Sequence, residues 1–155
     1  MSTYQNEENR MRLELDSRSR NESFARVVIS AFVARLDPTV EELEDIKTAV
    51  SEAVTNAIVH GYEGTVGTVT LEAKLSGRRL WVEIRDAGCG IPNVAKAMEP
   101  LYSTKEAENR SGMGFSFMEA FMDSLEVEST PGKGTLVKMS KIIGKGRKIW
   151  TTQSL

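Results

Sequence analysis

An α+β domain is what the sequence predicts: a two-layer sandwich with helices on one face of a mixed β-sheet. Three observations lead there. Val69, Leu71, Ala73 and Leu75 alternate with more polar residues, turn at Ser76-Gly77, and resume as Leu80, Val82 and Ile84, which spells a β-hairpin. Upstream, two stretches carry apolar residues at helical spacing, each opened by a capping-box pattern. The elements then run strand, helix, helix, hairpin, loop, helix, hairpin, with no internal repeat.

Taken in order, Met11, Leu13 and Leu15 alternate with polar residues and predict a short strand. Ser19 to Glu22 reads as a capping box, followed at helical spacing by Phe24, Val27, Val28, Ala31 and Phe32. Asp37-Pro38 ends that helix. Thr39 to Glu42 opens a second helix whose stripe is Leu43, Ile46, Val50, Ala53, Val54 and Ala57, with Gly61 as its C′ residue. After the hairpin, "DAGCGIP" stops the strand at residues 86 to 92, and residues 93 to 113 read as irregular and mobile. Phe115, Met118, Phe121 and Met122 predict a third helix, and "LEVEST", "PGKG" and "TLVKMS" predict a closing hairpin.

Composition narrows the functional classes. A chain of 155 residues suits one core, and 40% hydrophobic with 27% charged residues is typical of a soluble globular protein. No apolar run approaches the roughly 18–20 residues of a membrane span, and the polar start MSTYQNEENR lacks the apolar stretch of a signal peptide. The single cysteine, Cys89, excludes an internal disulfide, and one cysteine with one histidine argues against a protein-built zinc site. A cytoplasmic location is expected, with no membrane contact. A net charge of −2 provides no global field to draw the chain to nucleic acid. The expected organisation is a polar extension over 1–10, one domain over 11–141, and a basic, flexible tail over 142–155 that includes most of "KIIGKGRK".

Four clusters interrupt this scaffold: Glu52 with Asn56, Asp86-Gly88-Gly90, Gly112 with Gly114, and Gly132-Lys133-Gly134-Thr135. Each alone is weak. Glu52 and Asn56, one turn apart at the edge of an apolar stripe, could form a wet helix face or line a pocket. A D-x-G-x-G segment is a common turn, and "PGKG" connects many hairpins.

Their order is more informative. A helix bearing Glu52 and Asn56, a D-x-G-x-G-I turn, a lid closed by G-x-G and a final G-x-G-T strand resemble the Bergerat ATP-binding fold shared by gyrase and the histidine kinases, over roughly residues 40 to 140. Within that superfamily, "RNESFAR", "EAVTNAIVHGY", "PLYSTK" and "RSGMGF" closely resemble the sporulation anti-sigma-F factors, serine kinases of endospore-forming bacteria. This closer resemblance covers about residues 11 to 140.

The resemblance implies an ATP- and Mg²⁺-dependent kinase that binds a sigma factor of the F type. It also implies phosphorylation of a serine on an anti-anti-sigma factor, and action as a homodimer. Asn56 would supply an amide oxygen to Mg²⁺, which needs few protein ligands when phosphates supply the rest. Glu52 would orient and deprotonate the serine hydroxyl. Asp86 would accept from the adenine amino group, Gly88 and Gly90 would let the backbone approach the base, and Thr135 would complete the pocket. Lys105 and Arg110 would meet the phosphates beneath a lid hinged at Gly112 and Gly114, and Arg26 would lie on the partner-binding surface. Lys133 reads as a solvated turn residue, His60 as a cap and Cys89 as non-catalytic. Two other readings carry over: a nucleotide-gated antagonist without phosphotransfer, or a stress-response type of anti-sigma kinase.

Overall fold

The computed structural model describes residues 7–99 and 114–144. Its strands are β1 (Glu8–Asp16), β2 (Thr68–Ser76), β3 (Arg79–Asp86), β4 (Ser124–Thr130) and β5 (Gly134–Ile142), in the sheet order β1-β2-β3-β5-β4. Its helices are α1 (Arg20–Val33), α2 (Val40–Asn56), the short α3 (Val94–Ala97) and α4 (Phe115–Phe121). The architecture is α+β, as expected. The sheet departs from expectation in being antiparallel along every described ladder rather than mixed. A parallel pair needs a crossover that returns the chain to the starting end of the strand. Here β2–β3 and β4–β5 are tight hairpins, and the β1–β2 connection carries two helices instead of one.

The inner face of the sheet is the expected alternation: Val69, Leu71, Ala73, Leu75, Leu80, Val82 and Ile84 are buried, joined by Val137 and Met139 from β5. From the helix layer, Ile46, Val50, Ala53 and Val54 of α2 and Ala25, Ile29 and Val33 of α1 pack into the same core. Each large aliphatic side chain removed from water contributes about 1.5–3 kcal/mol, so this face decides the register of the whole hairpin. The outer face is polar, with Trp81 beneath the cations of Lys74 and Arg79 at 5.9 and 5.3 Å.

Helix α1 is rotated from its expected stripe. Ala25, Ile29 and Val33 are buried, whereas Phe24 and Val27 are 50% and 65% exposed. Helical spacing occurs on both sets, and the sequence does not say which one α2 covers. Ser19 makes no side-chain cap; the Glu22 carboxylate is instead taken by the Ser51 hydroxyl and by Arg26 Nε.

The capping box on α2 is present, with Thr39 N–H donating to Glu42 Oε1 at 2.9 Å and Glu42 N–H to Thr39 Oγ1 at 3.0 Å. The other Glu42 oxygen accepts from Gly144 N–H at 2.6 Å, and Ile143 is fully buried. At the other end of the described residues, β1 starts at Glu8. Among the described residues no helix is long and apolar enough to cross a membrane.

Candidate functional site

The last turn of α2 widens into a π-helical turn over Ala57–Gly61, closed by Tyr62 N–H donating to the Ala57 carbonyl at 3.1 Å. Such turns push one residue out of the regular spiral. Gly61 consequently lacks the left-handed C′ conformation expected of it. Its carbonyl accepts from Cys89 N–H at 2.8 Å, which fastens the 86–91 turn to the end of α2. A Cβ on Gly61 would lie 2.8 Å from Asp86 Oδ1, and one on Gly88 would lie 2.0 Å from the Gly61 carbonyl oxygen. Gly88 is therefore required by close backbone approach, and Gly61 by the room the Asp86 carboxylate takes. Gly90, at φ 75°, is pressed against the Thr130 carbonyl on the other side.

These contacts frame a narrow cleft that opens to solvent. Its polar lining is Asn56, His60, Asp86 and Thr135; its apolar lining is Ala53, Ile84, Ile91, Phe115 and Val137. Asn56 and Asp86 are two of the few buried polar residues. The Asp86 carboxylate accepts from the backbone N–H of Gly88 at 2.9 Å and from that of Thr135. Burial nonetheless raises its proton affinity above the ordinary aspartate range, outweighing those two donors. Tyr62 braces the same corner, its hydroxyl donating to the Thr68 carbonyl at 2.6 Å and accepting from Ala87 N–H at 2.9 Å.

Glu52 stands one turn before Asn56 and abuts Gly114, the residue that leads into α4. A Cβ on Gly114, whose φ is 58°, would lie 2.1 Å from Glu52 Oε2. The Glu52 carboxyl is raised above the ordinary glutamate range by burial first and by the neighbouring Glu22 charge second.

The structure thus brings Asn56, Asp86, Gly90 and Thr135 to one cleft, stacks Gly88 on its wall, and places Glu52 against Gly114. Lys105, Arg110 and Gly112 lie outside the described residues. Arg26 is elsewhere, on α1, in its pair with Glu22 at 2.9 Å. Lys133 is exposed at its turn. His60 lines the cleft, and its carbonyl accepts from the Cys89 thiol at 3.0 Å. That thiol is pushed up by desolvation and then by Glu63, which reduces the fraction present as the reactive thiolate. The roles of Gly61 and Ser129 at the cleft escaped sequence reasoning. Gly61 was signalled only by its place at the end of the Glu52 helix, and Ser129 only by preceding the "TPGKGT" turn.

Residues 15–141 match the family described as the histidine kinase-like ATPase domain. The Anti-sigma F factor of Thermoanaerobacter sp. (strain X514) is 58% identical over 139 residues, covering 90% of this chain and 97% of that protein. The Anti-sigma F factor of Clostridium kluyveri is 56% identical over 135 residues, covering 87% and 95%. The crystal structure of the RsbU and RsbW domains of Rv1364c from Mycobacterium tuberculosis shares the fold, with a TM-score of 0.63 at 17% identity. It covers 87% of this chain and only 32% of that longer one. A D-x-G-x-G turn locked onto the end of the Glu52 helix, and relatives matched over nearly their whole length, agree: the chain belongs to the histidine kinase-like ATPase domain family and, within it, to the anti-sigma F factors.

Proposed function

We propose that this protein binds and inhibits a sporulation sigma factor of the F type and, as an ATP-dependent serine kinase, phosphorylates the cognate anti-anti-sigma factor. One observation carries the kinase half. Glu52 stands one helical turn before the cleft-lining Asn56 on α2, with its carboxylate against Gly114, where only a residue without a side chain leaves it room. Nucleotide sensing alone needs no carboxylate there. A phosphoryl transfer does, because the serine oxygen must lose its proton as it bonds to the γ-phosphorus and ADP leaves.

The donor set fits Mg²⁺-ATP. Asn56 offers an amide oxygen and Asp86 an acceptor at the buried end, while Gly88 and Gly90 allow the close backbone packing that shapes the wall. Mg²⁺, held by Asn56 together with the phosphates, would neutralise their charge. Asp86 would accept from the adenine amino group beside Thr135. Glu52 would hold the serine hydroxyl and take its proton. Lys105, Arg110, Gly112 and Gly114 would close over the phosphates. The exposed Phe24 and Val27 beside Arg26 support α1 as the surface for protein partners, including a second copy of the chain. A net charge of −2 supports protein partners over nucleic acid.

The test incubates the protein with labelled ATP, Mg²⁺ and the candidate anti-anti-sigma protein. Phosphoserine on that protein is expected, with Glu52→Gln lowering the rate about 10²–10⁴-fold while ATP affinity holds. Nucleotide-dependent sigma binding with no phosphotransfer would instead establish a gated antagonist.

A further inference from the structure

Ser129, near the end of β4, faces Thr135 across the β4–β5 ladder. Its hydroxyl oxygen lies 2.7 Å from Ile91 N, 3.1 Å from the Gly134 carbonyl oxygen and 2.8 Å from Thr135 Oγ1. A serine hydroxyl has one proton and two lone pairs to distribute among these three neighbours. Ile91 N–H can only donate, so it takes one lone pair. The Gly134 carbonyl can only accept, so it takes the proton. The second lone pair is then met by the Thr135 proton. This assignment satisfies all three contacts. The reverse, with Ser129 donating to Thr135, leaves the Gly134 contact without a hydrogen.

The consequence falls on the cleft. Thr135 lines it together with Asp86. With its proton turned toward Ser129, Thr135 shows the cleft only lone pairs. An ionised Asp86 likewise accepts and cannot donate. Two acceptors side by side favour a ligand that presents an N–H at that edge and disfavour one that presents a carbonyl oxygen.

We propose that Ser129 is a specificity-determining residue that holds the Thr135 hydroxyl as an acceptor, so that the cleft selects a purine with a 6-amino group over one with a 6-oxo group. The inference rests on the reading of this cleft as a purine nucleotide site. Ser129 touches no nucleotide in this scheme and acts through Thr135. Its bond to Ile91 also tethers the 86–91 turn to β4, but a tether alone would weaken every nucleotide equally.

Equilibrium binding of ATP and inosine triphosphate distinguishes these roles, because the two differ at position 6 of the ring and the protonation state that follows from it. The wild type is expected to prefer ATP. In Ser129→Ala the Thr135 hydroxyl is free to turn and donate to the 6-oxo group, so the ATP-over-inosine preference should fall about tenfold, beyond any common loss to both. Ser129→Thr keeps a hydroxyl and should restore most of the preference. Thr135→Val leaves Ser129 and its tether in place and should reduce the preference by a similar factor, which covers the case of a Ser129→Ala protein that does not fold. An unchanged ATP-to-inosine ratio in either Ser129→Ala or Thr135→Val overturns the proposal while leaving the purine site standing. A wild type that binds neither nucleotide overturns the reading of the cleft, and the proposal with it.

Discussion

Replacing Gly114 with alanine tests how Glu52 is positioned. The new Cβ would start 2.1 Å from Glu52 Oε2 and 2.7 Å from its Cδ, where ordinary carbon contacts sit near 3.5 Å. The obstacle is the far end of a flexible side chain, so the carboxylate rotates away by about 1 Å or more instead of the fold breaking. Alanine at φ 58° adds a left-handed penalty of roughly 1–2 kcal/mol. For a domain of this size that lowers Tm by about 2–8 °C. A displacement of about 1 Å in a positioned base costs on the order of 10²-fold in rate, whereas Asn56, Asp86 and Thr135 are untouched. Single-turnover phosphotransfer at saturating ATP should therefore fall about 10²-fold, with ATP affinity within about threefold of wild type. A transfer rate close to wild type would refute the assignment of Glu52 as a positioned base. Equal losses in rate and ATP affinity would place the role of Gly114 at the phosphates.

Asp86→Asn should weaken ATP binding by about 1.5–3 kcal/mol, roughly ten- to 150-fold in equilibrium titration, through loss of a charged acceptor. The same change should leave the nucleotide-free protein no less stable at neutral pH. The folded carboxyl binds its proton more tightly than the unfolded one, so ionised Asp86 costs stability as pH rises through that window. The rate of phosphotransfer should rise with pH through the elevated Glu52 ionisation, and Glu22→Gln should move that inflection to lower pH by removing a neighbouring negative charge. An unmoved inflection in the pH–rate profile would show that the Glu22 charge does not reach Glu52. Ending the chain after residue 141 removes the buried Ile143 and the Gly144 bond to Glu42, and should cost about 2–4 kcal/mol by denaturant titration.

Much of this protein was legible in one dimension because the signals are local. The β2–β3 hairpin follows from side chains alternating across a pleat, and the Thr39–Glu42 capping box from groups three residues apart. Glu52 and Asn56 share an edge because they are one helical turn apart, and the motif order sufficed to identify the family. What the sequence could not decide involves choices between faces or meetings of distant segments. Either α1 stripe satisfies helical spacing, and only packing against α2 buried Ala25, Ile29 and Val33 and left Phe24 and Val27 in water. The capping pattern at Ser19 is not realised, because Glu22 is engaged by Ser51 of α2 and by Arg26 one turn along its own helix. Gly61 reads locally as a helix stop, yet it serves as the floor under Asp86 and Gly88, a role created by the π turn that carries its carbonyl to the 86–91 loop. Ser129 had no local motif at all. Its position comes from the β4–β5 register, which sets one hydroxyl among groups from β5 and from the 86–91 turn. A linear pattern records propensity and periodicity within a few residues; burial, register and shared hydrogen bonds are properties of the folded chain.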